Sequence, residues 1–178
     1  MHRTGDLEYA VIQPLKNYFL KKLVHARLFF IKKNTQLLNF FELLKQVKKV
    51  LIILPINKKE ERIARTYLSR FNSLFSASQI STLDVTSLRR SDVNWLGVPN
   101  MSYLKNIQSE DFELLIDLNG SHDYICAYLG ALTRASLRLH VSQGIFDKIY
   151  NLQFRSQPQE SIENRYDRVL RYLELMRQ

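Results

Sequence analysis

Two short stretches of this 178-residue sequence carry residue types able to do chemistry, and each follows an apolar run. One reads Asp117-Leu118-Asn119-Gly120-Ser121-His122-Asp123. His122 and Asp123 could act as a base and its orienter, and Asn119, Gly120, Ser121 and His122 could contact a polar ligand. Gly120 permits a tight turn there. Ser-His-Asp in tandem is not a catalytic triad, because triad members converge from separate segments. The competing reading is a helix start capped by Ser121. The other stretch reads Pro55-Ile56-Asn57-Lys58-Lys59-Glu60-Glu61 and contains no glycine. That excludes a dinucleotide fingerprint or a phosphate-cradling loop, both of which need glycine for close backbone approach. Asn57, Lys58 and Lys59 near a helix N-terminus could hold an anion. The alternative is a solvated first turn whose glutamates favour the helix dipole.

Other chemistry is thinly represented. His2, His25, His122 and His140 show no ligand spacing, so no metal site is expected. Cys126, the single cysteine, excludes an internal disulfide and reads as a core residue. His140 alternates with Leu139 and Val141, which predicts a packed or rim position. Trp95, Tyr103 and Tyr128 could form a stacking platform, although such residues are usually core. No cofactor is expected.

The elements that must position these loops alternate. Val50–Leu54 is a continuous apolar run rich in β-branched residues, as in a strand buried on both faces. Further strands are predicted over 79–85, 112–117, 137–141 and 150–154. Helices are predicted over 59–75, 102–108, 124–133 and 161–176, the last facing inward through Ile162, Tyr166, Val169, Leu170, Leu173 and Met176. Alternation of this kind implies one α/β, Rossmann-like, three-layer domain with a mostly parallel sheet over residues 48–178. In such sheets ligands bind beyond the carboxyl ends of the strands, where both stretches lie.

Residues 1–47 read as a basic helical extension packing on that domain. Residues 1–49 hold ten basic and three acidic residues of a chain whose net charge is +9. Leu15, Phe19, Leu23 and Phe30 recur at helical spacing among Lys16, Lys21, Lys22, Arg27, Lys32 and Lys33. A second helix follows, capped by Asn34-Thr35, with Leu37, Leu38, Phe41 and Leu44 as its stripe. A basic amphipathic segment suits an anionic membrane surface or an acidic protein face. Nucleic acid fits less well, because the α/β body is nearly neutral. The longest apolar run is too short to span a bilayer and no signal peptide pattern is present, so the expected place is the cytoplasm, peripheral to the inner membrane face.

Two of these stretches also resemble a known family. Val50-Leu51-Ile52-Ile53-Leu54-Pro55 and the helix after it resemble the opening of the heptosyltransferase-type glycosyltransferases, bacterial enzymes of the two-domain GT-B fold. Asp111 to Gly120 and Ala131 to Leu139 are similar to later segments of the same acceptor-binding half, so that the resemblance covers about residues 48–155. It places Glu60 where the family has its proposed catalytic aspartate, and Lys59 where the family has glycine. A nucleotide-sugar-binding half, on the order of 150 residues, has no counterpart. The resemblance thus implies a glycosyltransferase-like protein that binds rather than transfers. Its alternative is the acceptor-binding subunit of a split transferase acting on a cell-envelope glycan, with Glu60 as base.

Overall fold

The structure, a computed structural model, describes residues 14–15, 18–26, 39–94, 98–144, 149–155, 157 and 159–178. Five strands, β1 (Lys49–Ile53), β2 (Gln79–Leu83), β3 (Leu114–Asp117), β4 (Leu137–His140) and β5 (Leu152–Gln153), form one parallel sheet in the order β2-β1-β3-β4-β5. This is the doubly wound order found in flavodoxin-type sheets, whose ligand crevice opens where the winding reverses, between β1 and β3. β1 and β3 are neighbours, with Ile52 beside Ile116.

The two-residue period of a strand sends alternate side chains to opposite layers. Val50, Ile52 and Leu54 join Leu114, Ile116 and Leu118 in one cluster, while Leu51, Ile53 and Leu115 enter the other. Both faces are covered, which is why these strands read as unbroken apolar runs. On the first face lie α1 (Phe40–Gln46), α2 (Lys58–Leu74) and α5 (Ile162–Arg177). The second face carries helical residues 18–26, α3 (Met101–Ser109) and α4 (Tyr124–Leu132).

Each labelled helix starts at a short polar side chain that accepts backbone N–H groups otherwise left unbonded. Asn57 accepts from Lys59 and Glu60, Asn100 from Tyr103, and Ser161 from Asn164. α3 and α4 are followed by Asp111 (φ 51°) and Arg134 (φ 56°), left-handed residues that turn the chain back toward the sheet.

Several expectations are corrected. The helix predicted from Asn34-Thr35 has its cap outside the described residues, and α1 begins at Phe40 behind an Asn39 cap. Leu44 is buried but Phe41 is exposed. In the N-terminal helix the buried residues are Leu20 and Val24, which pack with Leu51, Ile53 and Leu83. The expected stripe of Leu15, Phe19 and Leu23 lies one position round and stays exposed, and Phe30 falls outside the described residues. Both stripes are apolar, and local periodicity alone does not choose between them.

Candidate functional site

The carboxyl ends of β1 and β3 bring Asn57, Glu60, Asn119 and Gly120 together. Asn57 is fixed by capping α2, with its side-chain oxygen 2.9 Å from Lys59 N. Asn119 is buried; its Oδ1 accepts from Ile56 N at 2.9 Å and so ties the two loops to each other. Glu60 points into the same seam and accepts from Gly120 N at 2.9 Å. From α5, Arg165 donates to Gly120 O at 2.9 Å. The peptide at Gly120 is thus held by a carboxylate on one side and a guanidinium on the other. A Cβ at Gly120 would lie 2.9 Å from Glu60 Oε1 and 2.9 Å from Ile162 Cδ1, so only glycine fits without displacement. At the winding reversal the Gly120 N–H, a donor that could meet a ligand's anionic group, already meets Glu60.

Lys58 departs from this group. Its Nζ turns toward the β2 end, 3.0 Å from Glu61 Oε2 and 3.0 Å from Thr86 Oγ1. The expected solvated first turn is also corrected. Glu61 is buried and accepts from Arg65 as well as Lys58, and these two hydrogen bonds hold its carboxyl below the ordinary glutamate range. Ser121 is exposed and does not cap α4; Asp123 does, accepting from Ile125 N (2.7 Å) and Cys126 N (3.0 Å). Asp123 Oδ1 is therefore committed to the helix.

Beside this seam lies a buried polar cluster that sequence reasoning did not assemble. Asp117 and His140 are register partners at the ends of β3 and β4 and project into the same layer. Asp117, 1% exposed, accepts from Asn119 N (3.0 Å), Asn119 Nδ2 (2.6 Å) and the Tyr150 hydroxyl (2.5 Å). His140 Nε2 stands 3.9 Å from Asp117 Oδ2, and its Nδ1 is 2.6 Å from Ser142 O. The same nitrogen also accepts from Ser142 N at 3.1 Å, so both backbone groups of Ser142 meet this edge of the ring. Ser142 Oγ lies 3.2 Å from the same nitrogen. With Asp117 3.9 Å from Nε2, beyond hydrogen-bond reach, and Ser142 buried, Asp117, His140 and Ser142 do not form a nucleophilic triad.

His122 stacks on His140 at 4.6 Å, and His140 meets Tyr150 at 4.8 Å. A Cβ on Gly144 would fall 1.5 Å from His122 Nε2, so the imidazole presses against bare backbone of the β4–β5 loop. Burial, then the charge of Asp117, pushes the Tyr150 phenol and the Cys126 thiol well up; both stay protonated, as core groups do. Cys126 is thus an inert core residue, with Asn119 Nδ2 3.4 Å from its sulfur. The one hint of the cluster in the sequence was two polar residues, Asp117 and His140, each ending an apolar strand.

Of the residues expected to meet an anionic surface, Lys21 and Lys22 are exposed on helix 18–26, whereas Lys16, Arg27, Lys32 and Lys33 lie outside the described residues. Tyr128 is buried and Tyr103 half-buried, so neither offers an open stacking platform; Trp95 is outside the described residues. Among the described residues, no three His, Cys, Asp or Glu side chains gather as a metal site would require. No described helix is long and apolar enough to cross a membrane.

A family model matches residues 16–176, nearly the whole chain and every element above. The chain belongs to the DUF6913 family. This is described as a family of unknown function. No curated protein and no solved structure matches the chain.

Proposed function

We propose that the protein is a non-catalytic, glycosyltransferase-like α/β binding protein, held at an anionic membrane surface by its N-terminal helix. The observation that carries this reading is the double apolar character of helix 18–26. Leu20 and Val24 anchor it to the domain, so it is not a detachable tail. Leu15 (53% exposed), Phe19 (44%) and Leu23 (36%) nevertheless face outward beside Lys21 and Lys22. Tyr18 adds an exposed aromatic ring, with Lys22 Nζ 5.6 Å from its centre. Large apolar side chains rimmed by lysines match the boundary between headgroups and acyl chains.

The hydrogen bond between Glu60 and Gly120 favours binding over transfer. A catalytic base must reach its substrate's proton, and Glu60 is engaged with Gly120 N. This is also what ranks the reading above a split transferase's acceptor half.

The test is sedimentation of the intact protein with phosphatidylglycerol-containing vesicles and with neutral phosphatidylcholine vesicles. Binding is expected only to the anionic ones and is expected to fall as salt rises. Each lysine near the surface contributes about 1 kcal/mol, so Lys21→Glu/Lys22→Glu should weaken partitioning by about thirtyfold or more. Phe19→Ser/Leu23→Ser should weaken it as well. No sedimentation with anionic vesicles at low salt refutes the membrane reading, and micromolar binding of a nucleoside-diphosphate sugar in calorimetry refutes the non-catalytic one.

A further inference from the structure

The sheet has two edges of unlike character. β5 is a two-residue edge, too short to template a partner. β2 is a five-residue edge, Gln79-Ile80-Ser81-Thr82-Leu83, with no charge, no proline and no glycine. Gln79 and Thr82 are exposed, Ile80 and Ser81 half-buried. Edge strands in soluble proteins are usually blunted by lysine, proline or a bulge, and this one has none of them.

Its outward backbone groups follow from the ladder. Gln79 N donates to Lys48 O (2.7 Å) and Leu83 O accepts from Leu54 N (2.9 Å), so residues 79 and 83 turn their backbone groups toward β1. The two-residue alternation gives Ser81 the same direction. The N–H and C=O groups of Ile80 and Thr82 then point away from the sheet. Among the described residues, no strand lies on that side of β2.

We infer that β2 is a homodimer interface, at which two copies of this chain pair their β2 strands antiparallel into a continuous ten-stranded sheet. The strip is self-complementary. A two-fold axis normal to the sheet through Ser81 sets Ile80 of one copy opposite Thr82 of the other, and Thr82 opposite Ile80. Those are the residues whose backbone groups face outward, so the arrangement closes four hydrogen bonds in two hydrogen-bonded pairs. Ser81 meets its own copy on the axis, in the closer non-hydrogen-bonded position, where a small side chain fits. Charge singles out the same place. Each chain carries +9, and a charge-free strand is where two copies can meet without juxtaposing like charges. A cavity of about 290 Å³ runs along β2 on the second face, with Leu51, Gln79, Ser81, Leu83, Tyr103 and Ile107 among its walls. The two-fold brings both cavities to one side of the sheet at the axis, where Gln79 of one copy lies across from Leu83 of the other.

The test is the mass of the full-length protein by light scattering across a concentration series, with three variants. The wild type is expected at twice the 21.1 kDa chain mass. Thr82→Pro deletes one outward N–H and leaves the β1–β2 ladder intact, so it should run as a folded monomer. Thr82→Lys places a charge on the edge and should do the same; it decides the matter if circular dichroism shows Thr82→Pro misfolded. Ser81→Cys should yield a covalent dimer on mild oxidation, and Cys126, being buried, cannot supply that cross-link. A wild type that is monomeric throughout, or that binds extended peptides along β2 while remaining monomeric, overturns the inference. So does a dimer that survives Thr82→Lys and gives no cross-link through Ser81→Cys.

Discussion

Tyr150→Phe isolates the buried cluster, because it removes one oxygen and keeps the ring. The Tyr150 hydroxyl donates to Asp117 Oδ2 at 2.5 Å, and both residues are almost wholly buried, at 2% and 1% exposure. Asp117 has two other donors, both from Asn119, so the variant takes away one of three. A hydrogen bond to a charged group contributes about 1.5–3 kcal/mol, and no water replaces the lost donor at a site this closed. Stability should fall by that amount, a large part of the roughly 5–15 kcal/mol typical of a domain. In a chain of this size each 1 kcal/mol lowers Tm by about 2–4 °C, so the expected drop is about 3–12 °C. Urea unfolding followed by circular dichroism measures it, with Asp117→Asn and the double variant completing a cycle. Because the two groups touch, the cycle should return a coupling energy of at least about 0.5 kcal/mol. A loss below about 0.5 kcal/mol in Tyr150→Phe, or a coupling near zero, would refute the view that the hydroxyl holds the buried carboxylate.

Two further outcomes follow from the fold. Ile52 and Leu115 are fully buried on neighbouring central strands and face opposite layers, so Ile52→Ala and Leu115→Ala should each cost about 2–5 kcal/mol; unchanged urea midpoints for both would mean the sheet is misplaced. The carboxyl of Glu61 lies below its ordinary range because Lys58 and Arg65 hydrogen-bond to it, so its contribution is fully present above the unfolded glutamate range and lost as pH falls through the lower folded value. Urea midpoints measured from pH 7 down to 3 should therefore converge for wild type and Glu61→Gln, and a gap that stays constant with pH counts against this linkage.

At the winding-reversal seam the protein supplies its own partner for a loop N–H. Loops at this position usually end in backbone N–H groups that await an anion. Here Glu60, sixty residues before Gly120 in sequence, supplies the anion from the first turn of α2. The same carboxylate that the glycosyltransferase resemblance would assign to catalysis thus serves as an internal clasp, with Arg165 closing the other side.

Much of the architecture was legible in the sequence, because it depends on local patterns. Val50–Leu54 has no polar residue, and only a strand covered on both faces accommodates that run. The closing helix was legible from Tyr166, Val169, Leu170 and Leu173, which are buried together because residues three or four apart share a face. What the sequence left open is of two kinds. In the N-terminal helix two adjacent stripes, Leu20/Val24 and Leu15/Phe19/Leu23, are both apolar, and only docking on Leu51, Ile53 and Leu83 selected the first. At α4 the expected cap was Ser121, and the path of the loop from Asn119 gave that place to Asp123. The site is of the second kind. Asp117, His140 and Tyr150 span 33 residues and become neighbours only because β4 lies beside β3 and the chain returns through β5. Glu60 reaches Gly120 only because β1 and β3 adjoin. Periodicity fixes which side of an element is apolar, since that is set by residues three or four apart. Strand order and the choice between equivalent surfaces are set by contacts between distant segments, and those the tertiary structure alone decided.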